Sequence, residues 1–152
     1  FTTFNQISDM VTRLSIQGSA INAIGDEDVR VSKRLYIPSK KLRGFESGKI
    51  GPKDSGDYIG GNYTAVLNAS TTLPEFGANL EKIDFQLFFD AANVWGVDYD
   101  SSLDSSELRS SIGLGVDWYT IVGPLNFSIA QPISKADTDK TETVRFNIGT
   151  TF

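Results

Sequence analysis

The chain is built from long segments in which apolar and polar side chains alternate residue by residue. In "TETVRFNIGTTF", Val144, Phe146, Ile148, Thr150 and Phe152 share one parity, while Arg145, Asn147, Gly149 and Thr151 share the other. A period of two marks an extended strand, whose successive side chains point to opposite faces. "KIDFQLFFDAANVW" repeats the pattern: Ile83, Phe85, Leu87, Phe89 and Ala91 oppose Asp84, Gln86, Asp90 and Ala92, with Phe88 on the polar side. "LRSSIGLGVDWY" sets Leu108, Ile112, Leu114, Val116 and Trp118 against Arg109, Ser111, Gly113, Gly115, Asp117 and Tyr119. "PLNFSIAQPI" does the same with Leu125, Phe127 and Ile129, and "NYTAVLNASTTLP" and "VTRLSIQGSAINA" follow with less contrast.

These segments predict about six strands, near the ~9–11 residues a tilted strand needs to cross a bilayer. They outrun the ~5–6 residues usual in soluble proteins. Their polar parity carries glycine, asparagine, serine and charge at mid-strand, which suits a wet lumen. Tyr63, Trp95, Trp118 and Phe152 stand near strand ends, where interfacial aromatics sit. No apolar run approaches the ~20 residues of a membrane-spanning helix. The connections alternate in kind. "LPEFGANLEK" and "TIVGP" are short and turn-like, whereas "NVWGVDYDSSLDSSE", "SKADTDKTE" and the stretch from Gly25 to Gly61 are long and polar.

The expected fold is therefore all-β, an antiparallel meander of transmembrane strands, with a soluble β-sandwich as its rival. Six strands do not close a barrel, for which about eight is the smallest usual count. An open sheet in lipid leaves backbone groups unpaired at both edges, at several kcal/mol each. Residues 1–152 are thus expected to form one partial barrel domain, completed by a larger barrel or by another copy through its edges. That the sequence begins at Phe1 with no leader pattern gives the same expectation of a piece of something longer.

Composition removes several function classes. There is no cysteine and no histidine, so thiolate or imidazole metal sites and Ser-His-Asp catalysis have no residues to use. Carboxylate pairs remain, yet no catalytic constellation stands out, and no enzyme, metal or cofactor is expected. A net charge of −5 without a basic run argues against nucleic acid. "DYDSSLDSSE" supplies Asp98, Asp100 and Asp104 but lacks the glycine at the sixth position of a calcium loop. "GFESGK" has too few residues between its glycines for a phosphate loop, and no hydroxyl residue after Lys49.

One stretch departs from the alternation. "KKLRGFESGKIGP" crowds glycine, proline and charge around Arg43-Gly44-Phe45 inside the longest loop. After it come "GGN" at a strand start, "FFDAANVW", "GLGVDW", "GPLNFSIAQPI" and the terminal "RFNIGTTF". In this order, from about Leu35 to Phe152, the chain resembles the C-terminal part of the bacterial surface antigen family, the BamA-like outer-membrane assembly factors.

That resemblance implies the last strands of a sixteen-stranded barrel, without the periplasmic POTRA domains and first strands. It implies a place in the bacterial outer membrane. Its partners would be lipid, unfolded outer-membrane protein clients and other assembly subunits, with pairing of copies through open edges a further expectation. It also implies that the Arg43-Gly44-Phe45 loop folds back into the lumen and that Arg43 meets an inward aspartate, here Asp90. Gly44 would let the backbone approach the wall and Phe45 would fill space there; the alternative is a solvated loop with a chance triplet. Ser70 replaces a second carboxylate common in the family and Ala92 replaces a glycine; the first loses an anion and the second narrows the approach to the wall, which leaves the tightness of the contact open but not its existence. The last strand, with Val144, Phe146, Ile148, Thr150 and Phe152 on one face, matches the terminal signal of outer-membrane barrels. It is expected to pair with client strands at a lateral seam. A protein-secretion translocator and a passive structural barrel remain open as alternatives.

Overall fold

The structure, a computed structural model, describes residues 1–7, 10–25, 27–74, 82–104, 106–121 and 123–149. One antiparallel sheet runs in sequence order through β1 (Thr2–Ile7), β2 (Met10–Ala20), β3 (Tyr63–Thr72), β4 (Ile83–Trp95), β5 (Arg109–Thr120), β6 (Gly123–Ser134) and β7 (Val144–Ile148). β2 to β6 hold 11, 10, 13, 12 and 12 residues, long enough to cross a bilayer at a tilt. The fold is the expected all-β meander, with one strand more than the alternation predicts. β1 hides in the sequence because its register, Phe4 opposite Arg13, puts Phe4 on the parity of the polar face and leaves Thr3 and Asn5 on the apolar one.

The two faces have different fates. Leu87, Leu114, Ile129, Phe146 and Ile148 are 41%, 56%, 49%, 57% and 71% exposed, and no second layer covers them among the described residues. A β-sandwich would bury that face between two sheets. Here Leu114, Phe127 and Ile148 are exposed and Phe85 is half-buried, which removes the sandwich reading. The opposite face is covered in part, not by a sheet but by the loop joining β2 to β3, while Ser70, Thr72, Gln86 and Asp117 line an open hollow beside it. Ile37, Leu42, Phe45 and Ile50 of that loop cluster with Val66, Ala92 and Val94 of the wall. The core of the molecule is therefore loop on wall.

The connections sort by end. β5 and β6 meet in register up to Thr120 opposite Gly123, whereas the connections after β2, β4 and β6 start from the other end of the sheet. The sheet has two outer strands, β1 and β7, each paired on one side only among the described residues.

Candidate functional site

The long loop has little regular structure of its own. Its local elements are a 3-10 turn at Val31–Lys33, a bridge between Leu35 and Gly61, and a small hairpin pairing Lys53–Asp54 with Asp57–Tyr58. Between these, residues 37–52 press onto the inward face of β3 to β5. The backbone at Gly44 has φ +92, and an added Cβ would lie 3.1 Å from Ala130 Cβ and 3.3 Å from Ser111 Cβ. Only glycine combines that conformation with that approach. Phe45 follows, 1% exposed, in the loop-wall cluster.

Arg43 and Asp90 meet. Arg43 Nε donates to Asp90 Oδ2 at 2.7 Å and Nη2 donates to Oδ1 at 2.8 Å, a two-pronged contact. The backbone N–H of Arg43 donates to Oδ2 as well, at 3.1 Å. Asn68, facing Asp90 from β3, donates to Oδ1 at 2.8 Å and to the carbonyl of Lys41 at 2.8 Å. The Ser111 hydroxyl donates to the Arg43 carbonyl. Asp90 is wholly buried, while the Arg43 side chain keeps 18% exposure.

The guanidinium also has a floor. Its carbon lies 3.4 Å from the ring centroid of Phe88, a cation-π contact. Phe88 sits opposite Gly113 in the β4-β5 register, and a Cβ on Gly113 would come within 2.5 Å of the ring. The aromatic fills the space glycine leaves, which places it under Arg43.

With Ser70 and Ala92 in place the contact is two-pronged, at 2.7 and 2.8 Å. Ser70 lines the concave face below the loop, and Asn68 supplies a polar partner to Asp90 instead. Ala92 is 1% exposed and joins the apolar cluster beneath the loop without displacing it.

Two further ion pairs flank the first, and the alternation pattern does not reveal them. Arg34 of the loop donates to Asp98, which also accepts from the Val29 N–H at 2.7 Å and the Asn62 amide at 3.1 Å. Burial pushes the Asp98 carboxyl up, but these hydrogen bonds and the Arg34 charge outweigh it and hold the group below the usual aspartate range. Arg109, at the start of β5, pairs with Asp139 through Nε at 2.8 Å and Nη2 at 3.2 Å, both side chains buried. The one sequence signal was a concentration of aspartates in the long connections.

In β7, Val144, Phe146 and Ile148 share the outward face and are 51%, 57% and 71% exposed. The strand pairs with β6 from Val144 opposite Ile129 to Ile148 opposite Leu125. Among the described residues it holds five, and beyond Ile148 the backbone at Gly149 turns to φ +115 while its N–H still reaches the Pro124 carbonyl at 2.8 Å. Thr150 and Phe152 lie outside the described residues.

The polar inward wall with its docked loop, the apolar outward face and the edge strand β7 belong to one chain, and the Omp85 superfamily domain matches that chain over residues 1–152. The chain belongs to the Omp85 superfamily. Among its Omp85 relatives, the outer membrane protein assembly factor BamA of Neisseria meningitidis serogroup B is 34% identical over 139 residues, covering 73% of this chain and 17% of that protein. BamA of Neorickettsia risticii is 30% identical over 156 residues, covering 98% of this chain and 21% of the relative. A human Omp85 relative, the sorting and assembly machinery component 50 homolog, is 31% identical over 99 residues, covering 61% and 21%. The crystal structure of BamA from Haemophilus ducreyi lacking POTRA domains 1-3 superposes with a TM-score of 0.84 at 26% identity, covering 95% of this chain and 32% of that one. The chain thus spans about a fifth of the length of the curated relatives it matches.

Proposed function

We propose that this chain is the seam-side wall and lumenal loop of a barrel that assembles proteins into the bacterial outer membrane. The observation that carries the reading is the Arg43–Asp90 contact, in which a loop and a wall strand 47 residues apart are fixed by two directional hydrogen bonds. No covalent step is involved and no cofactor is needed. The work is strand pairing: among the described residues β7 has one unpaired edge, and an edge strand is a template for another strand. Unfolded outer-membrane proteins are the clients and other subunits of an assembly complex the partners. Both outer strands, β1 and β7, offer edges through which a second copy can pair. In the working barrel the docked loop props the lumen while the seam opens and closes.

The test is reconstitution of the full-length protein in liposomes, with insertion of a urea-unfolded barrel client followed by protease protection. The protein is expected to accelerate insertion and Arg43→Ala to slow it. No acceleration by the unsubstituted protein overturns the reading. A passive barrel would instead conduct ions steadily and leave insertion unchanged on Arg43→Ala.

A further inference from the structure

A short segment joins the lumenal loop to the last strand. Residues 136–142, just before β7, lie along the lumenal loop. Thr141 pairs with Phe45 and Glu142 with Gly44 in a two-residue antiparallel ladder. The ladder is extended by Glu46 N–H donating to the Lys140 carbonyl at 3.0 Å and Lys140 N–H donating to the Lys49 carbonyl at 3.0 Å. At its other end, Thr143 accepts from the Ala130 N–H at 2.8 Å, and β7 begins at the next residue. No residue of free chain separates what grips the loop from what becomes the last strand.

Asp139 holds this segment in place. Its carboxylate accepts from Arg109 Nε and Nη2 on β5, from the Ala136 N–H at 2.8 Å within its own turn, and from the Gly51 N–H of the lumenal loop at 3.4 Å. Arg109 in turn donates through Nη1 to Asn93 Oδ1 on β4 at 2.8 Å and to the Glu107 carbonyl at 2.7 Å. One buried carboxylate therefore ties together two wall strands, the base of the loop and the turn that leads into β7. Gly51 marks how tight the junction is: its φ is +96, and a Cβ there would fall 2.3 Å from Val94 Cγ1.

We propose that Asp139 is a positioning residue that couples the lumenal loop to the last strand, so that the two dock and release as one unit. The role in assembly rests on the proposed function; the coupling itself does not. Apolar packing alone does not supply this, because it fixes no register. A ladder that ends where β7 begins does, since moving the loop either drags residues 140–142 or breaks their backbone bonds.

Hydrogen exchange by mass spectrometry on the full-length protein in lipid tests it, with Asp139→Asn and Gly51→Ala perturbing the junction from its two sides. Each is expected to speed exchange about tenfold or more in both segments, 44–50 and 141–148, Asp139→Asn by weakening charge-assisted hydrogen bonds and Gly51→Ala by straining φ +96 and pressing on Val94. Unchanged protection of β2 and β3 shows that the wall is intact, since Gly51→Ala itself presses on Val94 of β4. Faster exchange confined to the perturbed side in either variant overturns the coupling. If Asp139→Asn does not assemble, Gly51→Ala decides alone, because it leaves the buried charges untouched and acts 93 residues from the start of β7. Client insertion is measured on the same samples. Coupled exchange with unslowed insertion leaves the coupling standing and overturns the role given to the loop in assembly.

Discussion

Arg43→Ala is expected to cost more than Asp90→Ala, although both remove the same ion pair. The reason is the difference in exposure. Asp90 is wholly buried, so removing its partner strands a carboxylate away from water. Breaking a buried pair this way costs roughly 3–5 kcal/mol. The backbone N–H of residue 43 at 3.1 Å and the Asn68 amide at 2.8 Å still face the carboxylate and offset part of it, leaving about 2–4 kcal/mol. In Asp90→Ala the stranded group is instead a guanidinium with 18% exposure, resting on the Phe88 ring and free to turn toward lumenal water. Water fills the vacated space and satisfies the Arg43 N–H, so about 1–2 kcal/mol is expected. Exchange rates of amides 42–50 in the two single variants and the double variant give all three terms, with a coupling of about 1.5–3 kcal/mol. A reversed order, or singles that add to within about 0.5 kcal/mol, refutes the reasoning.

Gly44→Ala is expected to lose about 1–3 kcal/mol of loop docking, since it strains φ +92 and presses on Ala130 and Ser111; unchanged loop exchange would contradict this. Leu114→Arg, on the outward face, is expected to cost about 2–4 kcal/mol of folding free energy in lipid if it lies near the bilayer midplane; a neutral result in urea titrations places that face in water. The Asp98 carboxyl is held below its ordinary value, against burial, by the Val29 N–H and Asn62 hydrogen bonds and then by the Arg34 charge, so these contacts contribute stability above about pH 4 that is lost as pH falls through the lowered pKa. A carboxyl NMR titration is expected to show a midpoint below that of Asp98 in unfolded protein, and an equal or higher midpoint sinks the claim.

The wall was legible because a period of two leaves few alternatives over ten or more residues. Asp90 was placed on the inward face by parity alone, and the resemblance supplied its arginine. β1 was not legible, because Thr3, Asn5 and Phe4 do not advertise which face is which. The loop's contribution was hidden for a different reason. Ile37, Leu42, Phe45 and Ile50 follow no period, since a loop turns its side chains by local geometry and not by a repeating dihedral. Arg109 and Asp139 are 30 residues apart, and nothing in either segment names the other. Asn68 stood on the polar face as one asparagine among several, and only register showed that it lies opposite Asp90.

The relative size of these terms separates what docks the loop from what orients it. Leu42, Phe45, Ile50 and Ile37 are 1%, 1%, 2% and 3% exposed, and each contributes roughly 1.5–3 kcal/mol as an upper estimate. A buried ion pair weighed against an apolar replacement comes out near even. Docking is therefore apolar, but apolar contact is non-directional, whereas a guanidinium fork on a fixed carboxylate permits one pose. Arg43→Lys keeps the charge and loses the fork, so the amides of Leu42 and Ile50 are expected to stay protected while client insertion slows. Phe45→Ala, at about 3–5 kcal/mol, is expected to release the loop and lose that protection. If Arg43→Lys exposes those amides as fully as Phe45→Ala does, the ion pair carries the docking itself and this division of labour is wrong.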